Sequence, residues 1–196
     1  MEIRKLFRVE AAQHVVRNAT SFRCSHSVHN HGVQIELFFK SDRLDNAQMV
    51  CDFGILKGVV GKFIDSFDHC MAFWCKDDPE YIRDMQKWND RWIILPVNPT
   101  AEALSIYLCA AVNYLISKVK FANGEGNVYC SRVIYHETST GYAEATKDDV
   151  DLLPDAIGET EFSDGVVSDW TEELVGIMFG NKSFIENKAP KPQVKL

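Results

Sequence analysis

Residues 29–40 read His29-Asn30-His31-Gly32-Val33-Gln34-Ile35-Glu36-Leu37-Phe38-Phe39-Lys40. Over 32–40, Val33, Ile35, Leu37 and Phe39 alternate with Gln34, Glu36 and Lys40, the period of a strand with one buried face. Two histidines enter that strand at i and i+2, a spacing that projects both rings to one side of a sheet. Residues 3–12 read as an earlier strand, and a polar, histidine-rich loop over 17–30 joins the two.

Downstream, Leu56, Val59, Val60, Phe63, Ile64 and Phe67 fall at helical spacing, which predicts an amphipathic helix over 54–67. Residues 76–92 read as a charged insertion with a short helix starting at Pro79, a favoured first helical position. Thr100 can cap a long helix that buries Leu104, Leu108, Ala111 and Leu115. The turn Asn123-Gly124-Glu125-Gly126 stops that segment, and 128–137 with 142–146 form a hairpin across Ser139-Thr140-Gly141. Two strands, two helices and two strands define an α+β fold: a four-stranded antiparallel sheet with two helices on one face. Its open face and edges call for cover, and oligomerisation is one way to supply it.

The 196 residues amount to one domain, read as 1–147, followed by an acidic extension over 148–196. That extension holds 11 Asp/Glu against 4 Lys, so the whole net charge of −7 belongs to it. Trp170 to Phe179 is its amphipathic stretch, and the closing Lys/Pro-rich run reads as disordered. With 46% apolar and 25% charged residues the composition is that of a globular protein. The acidic balance argues against nucleic acid. No stretch reaches the ~18 uncharged apolar residues of a membrane span. Met1-Glu2-Ile3-Arg4-Lys5 places charges where a signal peptide needs an apolar core. Six cysteines without a CxxC pair read as free thiols, and a cytoplasmic location is expected.

Four of the six histidines, His14, His26, His29 and His31, lie within 18 residues. His14 can join His29 and His31 in a three-imidazole set with one position open, the arrangement of catalytic zinc. A His-x-His pair is equally the look of two surface histidines in a polar loop. Cys24 shares the loop, and a thiol beside a cation is a usable base or nucleophile; most cysteines are small apolar fillers. Asp68-His69 offers an oriented imidazole or an ordinary helix end. Glu137 shares a strand face with Val133 and Tyr135, where a carboxylate needs a partner such as the adjacent N–H groups of a planar ligand, unless it is an exposed strand end. Thr100 and Glu102 also read as a cap and a first-turn acid.

In order, Glu10-Ala11-Ala12-Gln13-His14, Cys24, His29-Asn30-His31, Cys51-Asp52-Phe53 with Leu56-Lys57, Asp68-His69, Asn98-Pro99-Thr100-Ala101-Glu102 and Glu137-Thr138 resemble the 6-pyruvoyltetrahydropterin synthase / 6-carboxytetrahydropterin synthase family. The likeness runs over residues 7–146. It implies the tunnelling fold, in which subunits pool their sheets into a barrel as trimers or hexamers. It implies zinc on His14, His29 and His31, Cys24 as base, Asp68 and His69 assisting proton transfer across a subunit boundary, and Glu137 anchoring the pterin with Thr100 and Glu102 nearby. The implied reaction converts 7,8-dihydroneopterin triphosphate to 6-carboxytetrahydropterin, acetaldehyde and triphosphate, on the way to 7-deazaguanines such as queuosine. Elimination to 6-pyruvoyltetrahydropterin and a degenerate pterin-binding homologue are the alternatives.

Three departures stand out. Gln13 delays His14 by one residue, which reverses its facing on a strand unless a bulge restores it. Four residues, not three, separate Cys24 from His29, so Ser25 takes the usual cysteine position and His26 competes as a ligand. The 76–92 insertion and the 148–196 extension exceed the short family members.

Overall fold

In the computed structural model, which describes residues 1–180 and 185–186, the chain opens with β1 (Glu2–His14), α1 (Phe22–His26) and β2 (His29–Lys40). β1 and β2 pair antiparallel from Glu2 opposite Lys40 to His14 opposite His29. Both strands run further than their apolar alternation predicts, because the histidine ends stay in the ladder.

The expected amphipathic helix occupies 53–65 in three parts. α2 (Phe53–Ile55) starts where Asp52 accepts the Gly54 N–H at 2.6 Å, a wide π-type turn covers Leu56–Val60, and α3 (Gly61–Asp65) completes it. Leu56, Val60, Phe63 and Ile64 are buried, as their spacing requires.

The stretch read as an insertion is bounded by two strands, β3 (Cys70–Trp74) and β4 (Trp92–Leu95), with α4 (Pro79–Gln86) between them. β3 runs parallel to β1, and β4 runs parallel to β3. Met71, Ala72 and Phe73 are consecutive and all buried, so no alternation marks this strand. Asp78 caps α4, with Pro79 in its first turn.

α5 (Ala101–Ser117) starts at Thr100, whose Oγ1 accepts the Ala103 N–H at 3.1 Å. After β5 (Val119–Lys120), β6 (Tyr129–His136) and β7 (Tyr142–Thr146) make the expected hairpin. Two 3-10 turns, Lys147–Leu152 and Pro154–Ile157, lead to β8 (Glu161–Phe162), α6 (Asp164–Val167) and α7 (Glu172–Met178). β9 (Ile185–Glu186) pairs with β5. The main sheet is ordered β7-β6-β2-β1-β3-β4-β8. Its first four strands are the expected antiparallel sheet, and the last three extend it past β1.

The extension packs against the core. Val166, Trp170, Leu174 and Ile177 are buried in the same cluster as Phe63 and Leu108. Trp170 Nε1 donates to Ser66 Oγ at 2.7 Å, and the Tyr107 hydroxyl lies 3.1 Å from Thr160 Oγ1. This second cover explains why α5 is buried at successive positions from Leu104 to Cys109. The Lys/Pro-rich run expected to be disordered lies outside the described residues. Among the described residues, no helix is long and apolar enough to cross a membrane.

Candidate metal centre and active site

The site begins with a defect in the β1–β2 ladder. Val9 pairs with Val33 and Ala12 with His31, so Glu10 and Ala11 stand against Gly32 alone. One extra residue in β1 shifts the facing of everything after it. Val9, Ala12 and His14 are all buried, whereas residues three apart on a regular strand point to opposite faces. The bulge thus cancels the residue that Gln13 inserts. The Glu10 N–H within it donates to Asp68 Oδ1 at 2.7 Å.

His14, His29 and His31 converge on one another, each offering a ligand atom within 4.8 Å of the others'. The ring centroids of His14 lie 4.6 Å from His29 and 5.8 Å from His31. Nδ1 of His14 lies 3.3 Å from the Ala12 carbonyl, and Nδ1 of His29 lies 3.0 Å from the Ser27 carbonyl. A carbonyl only accepts, so these bonds assign the proton to Nδ1 and leave Nε2 as a bare lone pair. His14 Nε2 is buried with no hydrogen-bond partner. Burial, and then the neighbouring His29, push the His14 imidazole down to about 4, keeping it neutral. An orphaned lone pair among three convergent imidazoles fits a metal that prefers nitrogen ligands and keeps an open position. Glu137 stands just past β6 with its Oε1 3.6 Å from His31 Nε2. Val133 and Tyr135 are buried beside it on the strand face that alternation assigned to all three.

Cys24 lies half-buried on α1. Its carbonyl accepts the Val16 N–H at 2.9 Å, two residues from His14. Ser25, in the usual cysteine position, is turned away from this role: its hydroxyl lies 2.9 Å from the Ser21 carbonyl and 2.8 Å from His26 Nδ1. His26 is exposed and stacks on Phe22 at 4.2 Å, outside the histidine cluster. Burial pushes the Cys51 thiol up to about 11 and the Cys70 thiol up to about 12, so both are inert filler.

Asp68 and His69 form the corner before β3. His69 Nδ1 lies 2.8 Å from Asp68 Oδ2, and His69 takes a left-handed φ of 51°. Donation from Nδ1 leaves Nε2 free on a ring that is 69% exposed. Burial alone would raise the Asp68 carboxyl, but the Glu10 N–H, His69 and Arg91 outweigh it and hold the group below its ordinary value. Arg91 also donates to the carbonyls of Asp68, Asp65 and Gly165 and pairs with Asp169, riveting this corner to the extension. Thr100 serves as the α5 cap, and Glu102 is exposed in its first turn.

Sequence reasoning missed Arg17, Asp77 and Arg91. Each acts through a partner at least 23 residues away, as in Arg17–Asp77 and Arg91–Asp68, and no periodicity signals such a contact.

Three convergent imidazoles that could hold a metal ion, a strand-end carboxylate and an exposed acid–imidazole pair thus come from one bulged α+β sheet. The model of the family described as 6-pyruvoyl tetrahydropterin synthase matches residues 2–148, and the chain belongs to that family. It is 36% identical over 179 residues to a 6-carboxy-5,6,7,8-tetrahydropterin synthase of Helicobacter pylori strain J99, with 88% of each chain covered. A protein of the same name from Aquifex aeolicus is 29% identical over 160 residues, covering 73% of this chain and 96% of its own. An uncharacterized protein from Wolinella succinogenes shares the fold at a TM-score of 0.60 and 20% identity, over 75% of this chain and 98% of its own. The 6-pyruvoyl tetrahydropterin synthase of Caenorhabditis elegans shares it at 0.52 and 15%, over 74% and 94%.

Proposed function

We propose that this protein is a zinc-dependent lyase that converts 7,8-dihydroneopterin triphosphate to 6-carboxy-5,6,7,8-tetrahydropterin, releasing acetaldehyde and triphosphate. The observation that carries the reading is the orphaned, buried Nε2 of His14 facing His29 and His31, in a chain whose relatives at 34–36% identity are named 6-carboxy-5,6,7,8-tetrahydropterin synthase.

His14, His29 and His31 hold the zinc, which when bound acidifies the C–H beside the substrate's side-chain hydroxyls. Cys24 takes that proton as base. Glu137 accepts paired N–H groups of the pterin and fixes its orientation. His69, oriented by Asp68, takes up a proton at its free Nε2 and passes it on. Its exposure supports a role at the site of a neighbouring subunit, within a homo-oligomer that pools its sheets as trimers or hexamers. Thr100 and Glu102 complete the pterin site. Six unpaired cysteines support a cytoplasmic location.

Mass-spectrometric analysis of products after incubating zinc-loaded protein with 7,8-dihydroneopterin triphosphate tests the proposal. Acetaldehyde with 6-carboxytetrahydropterin is the expected result. A 6-pyruvoyltetrahydropterin product would reassign the reaction to triphosphate elimination. Untouched substrate with zinc bound would leave a pterin-binding homologue without chemistry.

A further inference from the structure

We propose that Arg17 and Asp77 are positioning residues for Cys24, an ion pair through which the 76–92 segment braces the loop that carries the thiol. The inference rests on the reading of Cys24 as base.

α1 has five residues, and its N-cap Ser21 makes no side-chain capping bond. A single uncapped turn has little stability of its own, so its position must be imposed from outside. Two consecutive carbonyls do this. Cys24 O accepts the Val16 N–H at 2.9 Å, and Ser25 O accepts Arg17 Nη1 at 3.4 Å. Residue 17 is in turn fixed on three sides. Its N–H donates to Asn98 Oδ1 at 3.2 Å, and its carbonyl accepts Asn98 Nδ2 at 2.7 Å. Its Nε donates to Asp77 Oδ1 at 2.7 Å, and its guanidinium lies 4.6 Å from the Tyr81 ring centroid.

Asp77 is a committed partner. Its side chain is 2% exposed, and its other oxygen accepts the Trp74 N–H at 2.9 Å. Burying such a pair brings little net stability, but it fixes one geometry, since either charge left alone is costly. Arg17 is held by a carboxylate, a carbonyl and an aromatic face, and so is engaged as a strut. The strut links the end of β1, the Cys24 turn and the segment between β3 and β4.

Zinc-loaded, full-length Arg17→Ala, Arg17→Lys and Asp77→Asn proteins test this by three measurements. Amide exchange over 21–27 should quicken about tenfold or more in Arg17→Ala. The pH profile of iodoacetamide alkylation, resolved at Cys24 by peptide mass spectrometry, should change. The kcat should fall about 10- to 100-fold with KM nearly constant, the cost of a base displaced by about an ångström. Zinc stoichiometry should hold, and Arg17→Lys should restore part of each effect. If Arg17→Ala does not fold, Asp77→Asn, which keeps size and shape, is read in its place. Wild-type exchange and alkylation at Cys24 would overturn the brace, and so would zinc loss with uniform exchange throughout the chain in both variants. Turnover by Cys24→Ala would instead remove the thiol as base, and the exchange measurement would still decide the brace.

Discussion

Removing the Asp68 side chain should loosen the metal centre although Asp68 is no ligand. Its Oδ1 accepts the Glu10 N–H inside the β1 bulge at 2.7 Å, and that bulge turns His14 inward. Asp68→Ala strips the N–H of its acceptor and His69 of its carboxylate. The Glu10–Asp68 contact is exposed, so the freed N–H can turn to water and the loss is that of an ordinary hydrogen bond, about 1 kcal/mol. For a chain this long, that corresponds to about 2–4 °C in Tm. Because His14 depends on the bulge, zinc affinity should fall about 10- to 100-fold, the usual cost of losing a group behind a ligand. Asp68→Asn keeps a carbonyl oxygen for the Glu10 N–H, so it should hold zinc near the wild-type affinity while losing the charge that orients His69, and with it turnover.

The pH dependence has a definite sign. The folded state holds the Asp68 carboxyl below its ordinary value of 3.8. Its contribution is therefore full above 3.8 and disappears as pH falls through the folded value, so the Tm gap between metal-free wild type and Asp68→Ala should close in acid. Competitive zinc titration and thermal unfolding are the assays. Wild-type zinc affinity in Asp68→Ala would show that the bulge holds itself. Equal zinc loss in both variants would show that the charge, not the acceptor, matters.

Other substitutions separate the parts of the site. His31→Ala should lose zinc, and full metal occupancy would refute it as a ligand. Cys24→Ala should cut kcat about 100- to 10,000-fold while keeping zinc, measured by metal analysis beside turnover, and retained activity would move the base elsewhere. Trp170 is 8% exposed, packs on Phe162 at 4.8 Å and donates to Ser66, so Trp170→Ala should cost about 3–5 kcal/mol in denaturant unfolding. An unchanged midpoint would mean that the extension is dispensable to the core.

Half of the sheet was legible because its strands are buried on one face. Val33, Ile35, Leu37 and Phe39 alternate, and all four lie in the core. β3 and β4 lie inside the sheet, and a short apolar run such as Cys70–Trp74 carries no period to distinguish it from a loop's apolar stretch or a helix fragment. The same gap hid the edge to which the extension adds β8. The histidines were legible for a different reason: His29 and His31 sit on a readable strand, so their shared facing follows from backbone geometry alone. His14 was legible only conditionally, as a ligand if a bulge intervened, because parity along β1 is broken by Glu10 and Ala11. The bulge that restores that parity carries a contact with Asp68, 58 residues on. Cys24 poses the same problem, since its turn is placed by Arg17, whose partner Asp77 is 60 residues away. Local pattern therefore identifies the groups proposed for the chemistry, while the contacts that position them are long-range charge and hydrogen-bond pairs whose members look like ordinary surface residues in the chain. The residue inserted at Gln13, beside the proposed ligand His14, leaves the three imidazoles together, because one bulge in β1 absorbs it.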